Sequence, residues 1–367
     1  MKKQILLIFL SLIIYSCNHK KTQPIDFVNT LIGTGGHGHT YPGASAPFGM
    51  IQLSPDSRLE GWDGCGGYHY SDSIIYGFSH THLSGTGVSD YGDILLMPTT
   101  GELLLNNGAN GNPGYRSKFS HENEQAKAGF YQVFLEDYNV NVELTVSKRA
   151  GFHKYTFPKN EAAQVVLDLE HRDRLLDYKI EMLDSNILQG IRYSDNWAKN
   201  QKVHFYMQFS EPLKNITFNE KQSVAGIEFG VLDNPLIIKV GISAVSTDGA
   251  KVNLQDEIPH WDFEKTRMQT KALWEKELGK IVVEGESEEH KEIFYTALYH
   301  SLLNPNLYVD VDGHYTGTDL QKHHTDDKHY TIFSLWDTFR ATHPLFTLIQ
   351  KKRTNEFIRT FLRQYKE

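Results

Sequence analysis

Val140-Asn141-Val142-Glu143-Leu144-Thr145-Val146-Ser147 alternates apolar and polar residues without a break. In an extended chain successive side chains point to opposite faces, so four aliphatic groups share one face and four polar groups the other. That is the pattern of a half-buried strand. Val203, Phe205, Met207 and Phe209 repeat the period, while Val165-Val166-Leu167 and Leu236-Ile237-Ile238 read as short buried strands. Clusters of Gly, Asn and Asp separate these runs at roughly hairpin spacing, as in Asn106-Asn107-Gly108 and Asp248-Gly249. Residues 27–254 therefore predict a large antiparallel β-sandwich.

The period changes near residue 259. Helix formers dominate residues 259–278, with Trp261, Met268, Ala272 and Leu278 expected on one apolar stripe and Gly279 as the stop. A second helix is expected after Ser287, a good N-cap followed by Glu288 and Glu289, with Ile293, Ala297 and Leu302 facing inward and an end before Asn304-Pro305. Further helical stretches open near Ser334 and run from about Pro344 onward, and residues 356–367 show no capping signal. The chain divides into a leader (1–17), a polar tether (18–25), the sandwich (26–257), a helical linker (258–285) and a helical region (286–367).

The leader has Lys2 and Lys3 ahead of an apolar run at residues 5–14, too short for a stable bilayer span and typical of a signal peptide. It ends Ile14-Tyr15-Ser16-Cys17, and a small residue directly before Cys resembles the lipobox of bacterial lipoproteins. Cys17 is then the lipidated N-terminus of a protein held in the cell envelope of a Gram-negative bacterium; a plain signal peptide with an incidental Cys is the alternative. Only Cys65 would remain, so no intrachain disulfide is possible in the mature chain. The net charge of −8 and the lack of a long basic block argue against nucleic acid, or an anionic membrane surface, as the main partner. The 19 Tyr, 20 Phe and 5 Trp could serve sugar stacking, but such residues more often fill β-rich cores.

Chemistry-bearing residues are densest in residues 61–93, which include Gly61-Trp62-Asp63-Gly64, Gly66-Gly67-Tyr68-His69-Tyr70, Gly77-Phe78-Ser79-His80-Thr81-His82 and Asp90-Tyr91-Gly92-Asp93. The upstream run Gly33-Thr34-Gly35-Gly36-His37-Gly38-His39 has the same character. Glycine at this density points to tight turns or close backbone approach. His80 and His82, two apart, would share a face on a strand and could bind a metal, but no Cys or further His sits at a zinc-finger spacing, so hydrogen-bonded structural histidines are expected. The Gly33 run is no dinucleotide fingerprint because no helix pattern follows it. Ser84 lacks the strand and helix of a nucleophile elbow. Asp310 and Asp312 look a little like a calcium loop, but the closing Glu is absent, so a turn is expected.

The order of these motifs resembles glycoside hydrolase family 92. The resemblance rests on Asn29-Thr30-Leu31-Ile32-Gly33-Thr34-Gly35, Pro42-Gly43-Ala44, Pro47-Phe48-Gly49-Met50 and Gly66-Gly67-Tyr68-His69-Tyr70. It extends through residues 77–87, Asp90-Tyr91-Gly92-Asp93, the strands at 142–158, and Ser334-Leu335-Trp336-Asp337-Thr338-Phe339-Arg340. It implies a calcium-dependent exo-α-mannosidase with an N-terminal β-sandwich, helical linkers and an (α/α)6 catalytic barrel. Such an enzyme inverts configuration with an acid and a base roughly 6.5–9.5 Å apart. The resemblance places that pair and most calcium ligands after the Trp336–Arg340 motif, so the chain is expected to hold only the beginning of the barrel and no catalytic acid or base. It implies that Asp337 holds hydroxyls of a terminal mannose and that Trp62 reaches over the cleft toward the sugar. Asp63, His80, His82 and Arg340 are supporting groups behind them, and Arg340 could instead pair with Asp337. The expected substrate is a glycan with terminal α-linked mannose, α-1,2 foremost; a non-catalytic mannan-binding lipoprotein is the rival reading.

Overall fold

The computed structural model describes residues 22–367. The leader, Cys17 and residues 18–21 of the tether lie outside the described residues.

Two antiparallel sheets face one another. The first has seven strands, ordered Ala44–Ser45, Gln52–Asp56, Gly77–Ser79, Leu95–Thr99, Ala162–Asp168, Val224–Val231 and Asn215–Phe218. The second has eight, ordered Arg174–Asp184, Ile187–Asp195, Gln201–Phe209, Leu236–Ser243, Ala150–Thr156, Val140–Val146, Phe130–Leu135 and Glu124–Lys127. Val140, Val142, Leu144 and Val146 are fully buried between the sheets, on the face the alternation predicted, together with Leu96, Val165, Phe205 and Val240. The expected sandwich is present.

The second sheet is covered on its outer face too. Helix α1 (Thr247–Glu257) packs there, and Ala250, Leu254 and Ile258 form a second apolar layer with Phe152 and Tyr206. This explains why His204 and Tyr206 are buried beside the expected Val203 and Phe205. The approach is close enough that a Cβ at Gly241 would stand 2.2 Å from the Ala250 carbonyl oxygen. Asp248-Gly249 is thus not a turn between strands. Ser246 caps α1, its Oγ accepting from the Gly249 amide at 3.0 Å, and the change of period comes well before residue 259.

Helix α2 (Phe263–Leu278) starts at an Asp262 cap, whose carboxylate accepts from the Lys265 amide at 2.9 Å. The expected stripe is rotated: Trp261, Met268 and Ala272 are exposed, while Phe263, Thr266, Thr270, Trp274 and Leu278 face inward. The cause is polar. Thr270 donates to the Val146 carbonyl and Trp274 Nε1 to the Ser45 carbonyl at 2.7 Å, anchors that a hydrophobicity count does not register. Helix α3 (Glu288–Ser301) has the Ser287 cap as expected, with Ser287 Oγ accepting from the His290 amide at 3.1 Å. Its inner face is Tyr295, Thr296, Leu298 and Tyr299; Ile293 and Ala297 are exposed, and Leu302 is buried just past the helix end.

Beyond α3 two short hairpin-like pairs intervene, Asn306–Leu307 with Tyr330–Thr331 and His314–Thr316 with Lys322–His324. The stretch at Ser334 is a single helical turn, α4 (Leu335–Thr338). The final stretch breaks at Gln350 into α5 (Thr342–Ile349) and α6 (Lys351–Gln364). These helices share a core of Trp274, Tyr295, Tyr299, Leu302, Phe346 and Phe357 with Tyr41 and Phe48 from the N-terminal segment. Arg149 joins the two regions, bridging Glu257 at 2.5 Å and donating to the Val309 carbonyl at 2.7 Å. The architecture is a β-sandwich followed by the opening of a helical domain, with no closed barrel among the described residues.

Candidate functional site

Three glycine-rich stretches meet at one edge of the sandwich. Gly38 can sit where it does only without a side chain, since a Cβ there would lie 2.1 Å from the Gly33 carbonyl oxygen. Gly61 takes φ +84°, a conformation that favours glycine, and launches a short 3-10 turn, Trp62–Gly64. Trp62 emerges from it 57% exposed. Its ring stands edge-on to His39 at 4.3 Å and lies 5.1 Å from His37. The third stretch closes the edge: His39 Nδ1 lies 2.6 Å from the Thr86 carbonyl oxygen, and a Cβ at Gly87 would sit 3.3 Å from Trp62 Nε1.

Asp63 is next to Trp62 and gathers both histidines. Its Oδ1 lies 2.7 Å from His37 Nδ1 and 3.3 Å from His39 Nε2. The His37 hydrogen bond holds the Asp63 carboxyl below the usual carboxylate range. Sequence reasoning named Trp62 and Asp63 but passed over His37 and His39. The available signal was a His-x-His spacing in a glycine-rich run, identical to the one read at His80 and His82.

Those two histidines lie inside the sandwich. His80 Nδ1 donates to the Ile94 carbonyl at 2.6 Å, and its Nε2 accepts from His153 Nε2 at 3.0 Å, whose Nδ1 in turn accepts from the Tyr155 hydroxyl at 2.8 Å. Burial pushes the His80 pKa down to about 4 and lowers that of His153, so both stay neutral. His82 Nδ1 lies 2.9 Å from the Gln52 carbonyl, and its Nε2 is 3.3 Å from Asp56. Burial alone would raise the pKa of Asp56; the neighbouring His82 and His171 rings outweigh it and hold that carboxyl well below the usual range. His80 and His82 share no partner; each is a hydrogen-bonded structural histidine, the reading preferred over a metal pair.

On the helical side Asp337 and Arg340 are exposed, as is Trp336. Asp337 accepts from Ser334 Oγ at 2.6 Å within the single turn of α4. Arg340 does not pair with it; its guanidinium lies 5.4 Å from the Phe339 ring centre. Among the described residues no hydrogen bond, ion pair or ring contact links Asp337 or Arg340 to Trp62 or Asp63. A separate hollow of about 230 Å³ between the sandwich and the helical region is lined by Gln52, Tyr91, Gln201, Asn306, Thr318 and His329 among others, and contains none of the expected site residues.

Calcium prefers six to eight oxygen ligands. Asp310 is committed to Ser243 Oγ at 2.6 Å and Asn253 Nδ2 at 2.7 Å, Asp312 to His314 at 2.9 Å, and Asp327 to Arg359. Asp310-Val311-Asp312-Gly313 is a turn, as expected, with the Gly313 amide donating to the Asp310 carbonyl at 3.1 Å. Among the described residues the one group of three His, Cys, Asp or Glu side chains with ligand atoms all within 4.8 Å is His37, His39 and Asp63. Two of those three donors are nitrogens. That group does not fit calcium.

Comparison with known proteins agrees with this architecture. Residues 27–247 match the glycosyl hydrolase family 92 N-terminal domain and residues 249–367 its catalytic domain. A family 92 α-mannosidase of Bacteroides thetaiotaomicron is 35% identical with a TM-score of 0.90, the match covering 95% of this chain and 50% of that one. That mannosidase has also been solved in complex with mannoimidazole. An inverting mannosidase of the same family and species is 28% identical with a TM-score of 0.84, over 95% of this chain and 49% of that one. An uncharacterized secreted glycosidase of Arthroderma benhamiae is 27% identical over 77% of this chain and 42% of its own length. The chain spans about half the length of these relatives, or a little less. Its two matched segments together run from residue 27 to residue 367, and on that ground the chain belongs to glycosyl hydrolase family 92.

Proposed function

We propose that this chain supplies the sugar-holding wall of an exo-acting α-mannosidase that removes terminal mannose, α-1,2-linked foremost, with inversion. The observation that carries the reading is Trp62. An aromatic ring left 57% exposed on a turn fixed by three glycine-rich loops is a stacking platform for the apolar face of a sugar. Asp63 beside it is an acceptor for sugar hydroxyls. Asp337, already bonded to Ser334 and open to solvent, holds hydroxyls from the helical side, with Arg340 alongside. His80 and His82 act from behind by fixing the strand under the loop. In this reading the general acid and base are not among the residues named, and we assign neither role within this chain.

The relatives carry the reading further. One is a mannosidase solved with a mannose-like inhibitor, and another is described as inverting. A calcium requirement, general in the family, belongs to the proposal. So does envelope localisation through acylation of Cys17; one relative is a secreted glycosidase, and among the described residues no helix is long and apolar enough to cross a membrane.

Calorimetry with α-1,2-mannobiose tests the wall directly. Binding that is lost in Trp62→Ala supports it, and unchanged binding in that variant sinks it. Turnover of 4-nitrophenyl α-mannoside by the 367-residue chain would show that an acid and base are present in it after all. Loss of that turnover with chelator, and its return with calcium, would test the metal.

A further inference from the structure

We propose that His37, His39 and Asp63 form a binding site for a zinc-class divalent cation at the rim beside Trp62. The first argument is protonation. His39 Nδ1 stands 2.6 Å from the Thr86 carbonyl oxygen, which can only accept, so the ring proton sits on Nδ1. In a neutral ring that leaves Nε2 as a bare lone pair 3.3 Å from a carboxylate oxygen of Asp63. Two acceptors then face each other, in a ring only 4% exposed. A cation between them turns that repulsion into two bonds. A hydrogen bond from the second ring nitrogen to a backbone carbonyl is also how metal-bound imidazoles are usually oriented.

Geometry is the second argument. Bonds of about 2.0–2.1 Å in a tetrahedron place neighbouring ligand atoms about 3.3–3.4 Å apart. The His39–Asp63 separation of 3.3 Å is such an edge. His37 Nδ1, at 2.7 Å from the same oxygen, is slightly too close. Its side chain is 73% exposed and can swing outward without disturbing packing. His39 cannot move so freely, because the Gly85 amide donates to its carbonyl at 3.0 Å and the Gly38 turn before it tolerates no side chain. One rigid imidazole, one carboxylate and one mobile imidazole make a three-ligand set with a fourth position open to solvent.

Donor type chooses the ion. Two imidazole nitrogens and one carboxylate suit Zn²⁺, or Co²⁺ and Ni²⁺, and not calcium. The inference shares Asp63 with the sugar reading but needs neither Trp62 nor a glycan.

Zinc chloride titrated into the chelator-stripped 367-residue chain at pH 7.5, followed by calorimetry, tests the site. One zinc per chain is expected, with affinity reduced roughly tenfold or more in His37→Ala and in Asp63→Asn. His37 is too exposed for its replacement to threaten folding, so a loss there reports on the ion. Co²⁺ should give the visible absorption of tetrahedral coordination in the parent and not in His39→Ala. Trp62→Ala should keep the zinc site, which separates this inference from the sugar reading. Absence of zinc binding at pH 7.5 overturns the proposal, as does a zinc site of unchanged affinity in both His37→Ala and Asp63→Asn.

Discussion

His37-Gly38-His39 and His80-Thr81-His82 have the same spacing and meet opposite fates. The first pair stands at the rim, converges on one carboxylate oxygen and leaves His37 in solvent. The second is buried, and its two rings turn to different partners, His153 on one side and Asp56 on the other. The residue between them is part of the cause. Gly38 permits a turn so tight that both flanking rings fall on Asp63. Thr81 instead anchors the chain, its Oγ1 donating to Asp93 at 2.6 Å and accepting from the Asp93 amide at 3.0 Å. Spacing alone therefore does not identify a ligand pair; the backbone between the histidines does.

The strongest way to break the buried half of this comparison is to remove Asp93. It receives Thr81, Gln201 and the fully buried Arg192. Asp93→Ala strands a buried guanidinium, and a loss of about 3–5 kcal/mol in urea-unfolding stability is expected. Asp63→Asn at the rim should show none of this. Equal losses in the two variants would mean that rim and interior are one cooperative structure.

Acid should separate the halves next. His80, with its pKa pushed down to about 4 by burial, refuses a proton that the unfolded chain accepts near pH 6.5. Its contribution is fully present above about pH 6.5 and is lost as pH falls toward 4, by on the order of 3 kcal/mol. His153 is shifted in the same direction. Urea midpoints measured between pH 7 and pH 4.5 should fall, and His80→Gln should flatten that slope. A slope unchanged in His80→Gln would place the acid sensitivity elsewhere.

Much of the sandwich was legible because period-2 burial is a local signal: Val140–Val146 needed only its own residues to be placed. The helices were less so. The inner faces of α2 and α3 carry Thr270, Trp274 and Thr296, whose hydrogen bonds to the backbone of Val146, Ser45 and Asn29 a hydrophobic stripe does not count. Helix α1 was missed because its sequence is weakly apolar and its first turn holds Asp248-Gly249, which locally reads as a turn. At the rim, Trp62 and Asp63 were named through a resemblance of motifs. The convergence of His37, His39 and Thr86 was not, because it arises from contact between loops separated by up to 47 residues in sequence.

Ligand binding should discriminate the halves with little change in stability. Trp62→Ala is expected to abolish detectable binding of α-1,2-mannobiose, yet to leave the urea midpoint within about 0.5 kcal/mol of the parent, since more than half of that ring is already in water. A large drop in stability would instead make the ring a lid over His39 and remove the ground for calling it a platform.

The smallest effect is expected at His37, and it is the sharpest test of the contrast. Its side chain is 73% exposed, and its polar partner is an Asp63 oxygen that His39 already approaches. An exposed His–carboxylate pair contributes at most about 1 kcal/mol and commonly less. In metal-free buffer His37→Ala should therefore unfold within about 0.5 kcal/mol of the parent. Added zinc should raise the parent's melting temperature through preferential binding to the folded chain, and should raise that of His37→Ala less. If zinc stabilises both equally, the rim pair is as purely structural as the buried one, and the difference between the two His-x-His sequences reduces to solvent exposure.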